Sequence, residues 1–117
     1  MRVAFYWKPT CATCRRVKKE LQQAGIELEL VELFKQPPPR DVLRKLIERY
    51  GVDGILRKNS RDYKRLGLRN RKLSPDEAVE LLLANPDLIK RPVVKASSLI
   101  FAGRDEEALK ILKRQTK

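Results

Sequence analysis

Two periodicities of apolar and polar residues alternate along this chain, and the switches between them predict its elements. Val3-Ala4-Phe5-Tyr6-Trp7 is a continuous apolar run rich in aromatic and β-branched residues, the signature of a buried strand. Lys8-Pro9-Thr10 ends it, since a proline cannot donate to a ladder. Between Arg15 and Ala24 the apolar positions Val17, Leu21 and Ala24 recur at helical spacing, and Gly25 supplies a stop. Glu27 to Leu33 then alternates, with Leu28 and Leu30, and Phe34 beyond them, on a different face from Glu27, Glu29 and Val31. That pattern predicts a half-buried strand. Strand, helix and strand together make a βαβ unit with parallel strands.

The middle of the chain is helical. Gln36-Pro37-Pro38-Pro39 is a stiff connector into a helix with Pro39 near its first position and Asp41 in its first turn. Val42, Leu43, Leu46, Ile47 and Tyr50 fall on one face of it, and Gly51 is expected to end it. Ser60 is placed to cap a short helix through Leu66, with Gly67 as terminator. Ser74-Pro75-Asp76-Glu77 is a third start, with an N-cap Ser, Pro at N1 and an acid at N3. Its core side is Ala78, Val79, Leu81, Leu82 and Leu83, and Asn85-Pro86 stops it. Ile89 to Val94 is a turn feeding a β-branched strand, and Leu99-Ile100-Phe101-Ala102 is a second strand. The short loop Ala96-Ser97-Ser98 between them makes the pair antiparallel. After Gly103, a final amphipathic helix from Arg104 turns Ala108, Leu109, Ile111 and Leu112 inward. The order is βαβ, a helical insertion over roughly residues 39–88, then ββα. It reads as one α/β domain over residues 1–117, without repeats or linkers.

Composition narrows the setting. A hydrophobic fraction of 42% is ordinary for a globular chain, and no stretch approaches the roughly 20 apolar residues of a membrane span. The chain starts on a charged residue and a strand, which leaves no room for a signal peptide and makes the cytoplasm the expected compartment. The net charge of +12 suits an anionic ligand, a nucleic acid or a solvated surface. Its basic residues are spread out, densest between residues 52 and 73, and the few aromatics form no stacking pattern with them. Direct nucleic-acid binding is therefore not expected.

The chemistry centres on Cys11-Ala12-Thr13-Cys14, just past the first strand and at the start of the first helix, which puts both cysteines in its first turn. Unpaired backbone N–H groups and the helix dipole favour negative charge there, and Arg15 and Arg16 add positive charge beside it. A zinc site wants about four Cys or His ligands, and this chain has two cysteines and no histidine, so no metal is expected. Haem attachment would need His where Arg15 stands. A disulfide closing so small a loop restrains little chain. In a reducing compartment the pair reads as redox-active or nucleophilic, with two unrelated buried thiols as the bland alternative.

Four stretches give the chain a family resemblance over essentially its whole length. They are Pro9-Thr10-Cys11 with Cys14-Arg15; Leu56-Arg57-Lys58-Asn59 ahead of Tyr63 and Leu66-Gly67-Leu68; Leu88 to Val94; and Gly103-Arg104. Together they resemble the arsenate reductase/Spx family, which implies a thioredoxin-like fold with a mixed sheet and an inserted helical segment. By that resemblance Cys11 is the catalytic cysteine, Arg57, Arg91 and Arg104 bind the oxyanion with Arg15 nearby, and Pro92 is a cis proline facing the site. Arginine forks suit an oxyanion, because they bind its oxygens bidentately and stay charged. No bound cofactor is implied; glutathione, glutaredoxin or thioredoxin would be the external reductant. Two features depart from the reductase pattern. Trp7 or Lys8 stands where a histidine or similar polar residue is usual, and Cys14 supplies a second thiol, as in Spx-type regulators. The expected activity is an arsenate reductase-like thiol-disulfide oxidoreductase acting on an oxyanion or a thiol-redox protein. The alternative is an Spx-like regulator that binds RNA polymerase and senses oxidants through Cys11 and Cys14. Tyr50-Gly51 lies where that branch uses a glycine-containing contact surface, whereas Arg57-Lys58-Asn59 looks like the reductase pattern.

Overall fold

The computed structural model describes residues 2–115. Its strands are β1 (Arg2–Trp7), β2 (Glu27–Glu32), β3 (Val93–Lys95) and β4 (Ile100–Ala102). Its helices are α1 (Ala12–Gln23), α2 (Arg40–Ile55), α3 (Arg61–Arg65), α4 (Pro75–Ala84) and α5 (Glu106–Gln115). The strands form one sheet in the order β2-β1-β3-β4. β1 runs parallel to β2, while β3 is antiparallel to both β1 and β4. This is the mixed sheet of a thioredoxin-like fold, with α2, α3 and α4 between β2 and β3 in chain order.

Strand alternation divides the core in two. Val3 and Phe5 of β1, Val94 of β3 and Phe101 of β4 pack with Val17 and Leu21 of α1 and Leu109 and Leu112 of α5. Tyr6, Val93 and Ala102 point the other way, into the layer built by Leu43, Leu46 and Ile47 of α2 with Val79 and Leu82 of α4. Burying residues of this size contributes about 1.5–3 kcal/mol each, so the sheet is fastened from both faces.

Local chemistry sets the boundaries. Ser74 and Glu77 form a reciprocal capping box at the start of α4. Ser60 accepts from the Asp62 N–H at the start of α3. Gly67 terminates that turn at φ 62°, where a side chain would be strained. Two details agree with the sequence expectation and a third differs from it. α1 begins at Ala12 with Cys11 itself as the cap, so the two cysteines stand at the helix start as expected. Gly51, at φ 78° and ψ 165°, breaks the helical path as expected, and one further helical turn then runs to Ile55. Leu30 is 42% exposed and Phe34 44% exposed. β2 is an edge strand, and the layer beneath it is filled by Leu28 on one side and Val31 on the other.

Candidate active site

The site lies where β1 hands over to α1. The Cys11 N–H donates to the Lys8 carbonyl at 2.9 Å, closing the Lys8-Pro9-Thr10 turn. Cys11 is then the N-cap of α1, and its Sγ accepts from the Cys14 N–H at 3.5 Å. A sulfur in the capping position receives an orphan amide directly, a stabilisation a thiolate uses better than a thiol. Cys11 is partly exposed, Cys14 is fully buried, and both are free thiols.

The two sulfurs titrate in opposite directions. Burial works against charge at Cys11, but the Cys14 N–H, the Cys14 thiol and the Arg91 guanidinium outweigh it and hold the thiol below its ordinary value. Burial pushes Cys14 up to about 12, with the hydrogen bond and charge of Cys11 raising it further. One thiol is shifted toward its ionised form and the other toward its protonated form.

Arg91 is the cation of the site. Its side chain is only 6% exposed. Its Nη2 reaches Asp87 Oδ1 at 3.5 Å, and its guanidinium carbon sits 5.6 Å from the centre of the Phe34 ring. Lys8 covers the same ring at 4.8 Å. Among the described residues, Nε and Nη1 of Arg91 are the buried side-chain polar atoms that lack a hydrogen-bond partner. Burying such donors is costly, and buried polar groups are otherwise almost always paired. The Arg91–Pro92 peptide is cis, the isomer the resemblance implied.

Arg57 is brought alongside by backbone pairing. Leu56 and Ile89 form an isolated bridge, with the Arg57 N–H on the Leu88 carbonyl at 2.8 Å and the Lys90 N–H on the Ile55 carbonyl at 2.9 Å. The Arg57 guanidinium donates to the Asp87 carbonyl at 2.8 Å and to Asp87 Oδ1 at 3.1 Å. Ser60 Oγ donates to Asp87 Oδ2 at 2.6 Å. Burial opposes the Asp87 charge, yet Ser60, Arg57 and Arg91 hold the carboxyl below its usual range. Asp87 and its contact with Ser60 were missed from the sequence. The i, i+4 spacing of Asp87 and Arg91 was an available signal; the 27-residue separation from Ser60 left none.

The other two arginines lie elsewhere. Arg15 donates to the Pro9 carbonyl at 3.0 Å and braces the turn. The groups that lower Cys11 are Cys14 and Arg91, so the positive charge expected from Arg15 and Arg16 comes instead from across the site. Arg104 is paired to Glu20, at 3.2 and 3.4 Å, and to Glu106, at 2.6 Å. Glu20 is more than two turns along α1 from Cys11, roughly 13.5 Å at 1.5 Å per residue. Arg104 is therefore not gathered with Arg57 and Arg91, because two carboxylates hold it on the flank of α1. Among the described residues no group of three His, Cys, Asp or Glu side chains is arranged to hold a metal, and no helix is long and apolar enough to cross a membrane.

A C-x-x-C at the head of the first helix of a β2-β1-β3-β4 sheet, with a cis proline leading into β3, defines a protein of the thioredoxin-like class. Within that class the chain belongs to the ArsC family, whose profile matches residues 6–112. It is 32% identical to the regulatory protein MgsR of Bacillus subtilis, over 97% of this chain and 93% of that one. It is 36% identical to an arsenate reductase of Escherichia coli, over 79% of this chain and 67% of the reductase. Among solved structures, the arsenate reductase from Vibrio cholerae superposes with a TM-score of 0.81 at 29% identity, covering 95% of this chain and 98% of that one.

Proposed function

We propose that this protein is a thiol-disulfide oxidoreductase of the cytoplasm, with Cys11 as nucleophile and Cys14 as resolving thiol. The observation that carries the reading is the pairing of opposites in one turn: a capped, partly exposed sulfur held toward thiolate, above a buried one pushed to about 12.

The chemistry follows from those positions. With a disulfide substrate, the Cys11 thiolate attacks one sulfur, the S–S bond breaks, and the distal sulfur leaves as a thiolate that takes up a proton. Cys11 has then lost its charge, so its own part in raising Cys14 is gone; burial still raises Cys14 and the Arg91 charge still lowers it. Cys14 is now the easier thiol to deprotonate. It attacks the Cys11 sulfur, forms the Cys11–Cys14 disulfide and releases the second substrate thiol. Two thiols are oxidised and one disulfide is reduced. With an oxyanion, Cys11 displaces water from the central atom, and Cys14 or an external thiol attacks the Cys11 sulfur. The broken bond leaves its electron pair on the central atom, reduced by two electrons. Arg91 is suited to hold either a departing thiolate or an oxyanion oxygen. Glutathione, glutaredoxin or thioredoxin would return Cys11 and Cys14 to thiols.

A regulatory reading has its own support. The chain aligns with MgsR nearly end to end, whereas it spans 67% of the arsenate reductase. In that reading Cys11 and Cys14 switch a surface that docks on RNA polymerase. NADPH oxidation coupled through glutaredoxin or thioredoxin, with arsenate and separately with a small disulfide, tests the choice. Turnover lost in Cys11→Ser supports the enzyme. No turnover with either reductant, together with oxidant-driven disulfide formation and capture of RNA polymerase, would replace it with the switch.

A further inference from the structure

Asp87 has no place in the thiol chemistry just described, yet it pairs with Arg91, the arginine that lowers the Cys11 thiol. It joins three elements: Arg57 after α2, Ser60 at the cap of α3, and Arg91 before β3. Its ionised form is the stable one in that setting. Two guanidinium charges share one carboxylate, leaving a single net positive charge between them. The third arginine that the family resemblance assigns to an oxyanion, Arg104, is held by Glu20 and Glu106. Phe34 covers what Asp87 leaves of Arg91. A doubly charged tetrahedral anion entering beside Cys11 would thus meet one guanidinium with free N–H groups, a second already paired inward, and a fixed negative charge on both.

We infer that Asp87 is a specificity-determining residue of the Cys11 pocket. Held by Ser60, its carboxylate takes up from inside the protein the guanidinium capacity that a doubly charged oxyanion requires, and it biases the site toward electrophiles with one negative charge or none, the class of an organic disulfide. This rests on the reading of Cys11 as a nucleophile and names the substrate class of that same site. Asp87 acts through Arg57 and Arg91 and repels a dianion by its own charge; it takes no part in bond making.

Charge and positioning are separable here. Asp87→Asn removes the charge but keeps an oxygen for the Arg57 fork, and the backbone carbonyl that Arg57 also uses is untouched. Asp87→Ala removes both. The experiment measures protection of Cys11 from alkylation by iodoacetamide as sodium arsenate is raised, at constant ionic strength set with chloride, for the wild type and both variants. Thermal unfolding checks that each variant is folded; the Asp87 side chain is one-third exposed, so either replacement fits. Removing a like charge within a few ångströms of the ligand is expected to tighten arsenate protection by about tenfold in Asp87→Asn, and the same direction is expected in Asp87→Ala. Equal protection in all three proteins, or protection in none, would overturn the inference. Weaker protection in the variants would overturn it too, and would make Asp87 a residue that orders the arginines for oxyanion binding. The alkylation rate without arsenate separates this from the underlying reading: a Cys11 no more reactive than a free cysteine at neutral pH would remove the nucleophile itself, whatever Asp87 does.

Discussion

The two ends of α1 carry the same kinds of charge and treat them in opposite ways. Toward its C-terminal half, Glu20 accepts from both Arg104 and Lys113, at 3.2 and 3.0 Å, on a surface open to water. Burial disfavours the Glu20 charge, yet Lys113 and Arg104 bring its carboxyl below the usual range. At the N-terminus the anion is the Cys11 sulfur, and the cation facing it, Arg91, is buried with Nε and Nη1 unpartnered. Exposed pairs of the first kind contribute little to stability. A buried cation with donors to spare is costly to the fold, and such a cost is maintained where a ligand or intermediate will use the donors. The lesson is that the basic surplus of this chain is not one property: an arginine signals chemistry only where its partners are missing.

That contrast can be broken at either end. The largest effect is expected for Cys11→Ser, which should lower thiol-disulfide turnover roughly a thousandfold or more, as loss of a covalent nucleophile does; steady-state assays with a small disulfide read it. Next is Leu109→Ala, which empties a fully packed position between α5 and the sheet. It should destabilise the protein by about 2–5 kcal/mol in urea unfolding, showing that apolar packing fastens α5 rather than the Arg104–Glu20 pair. Arg91→Ala should raise the pH at which Cys11 becomes a thiolate and slow its alkylation several-fold at neutral pH, leaving Cys14 unreactive. Arg104→Ala should be the smallest, with Cys11 reactivity within about twofold of wild type and an unchanged urea midpoint, as for most exposed ion pairs. A large loss of turnover in Arg104→Ala would show that this arginine swings from Glu20 to the substrate.

Most of the fold was legible because it is written locally. Val3 to Trp7, the Ser74-Pro75-Asp76-Glu77 cap and the glycines at 25 and 67 each encode their own element, and the strands fell within a residue or two of their places. Cys11 and Cys14 were legible for the same reason. Gly51 was legible as the break in the helix, although nothing local showed that Val52 to Ile55 add a further turn beyond it. The exposure of Leu30 and Phe34 depends on β2 being an edge strand, which its own alternation does not reveal. The arginines divide along the same line. Arg57 and Arg91 meet through the Leu56–Ile89 bridge, and Arg104 is drawn off by Glu20, 84 positions away. Long-range pairing of that kind leaves no trace in composition or period.

The central claim, that its cap and Arg91 hold the Cys11 thiol below its ordinary value, is tested most directly by the pH dependence of its alkylation, followed by mass spectrometry so that Cys11 and Cys14 are scored separately. A group held below its ordinary value is ionised at lower pH than a free cysteine, so the Cys11 rate should rise at lower pH than that of a small free thiol measured alongside it. In Arg91→Ala the same curve should move to higher pH. A Cys11 curve that follows the free thiol, or one that Arg91→Ala leaves in place, would contradict the account.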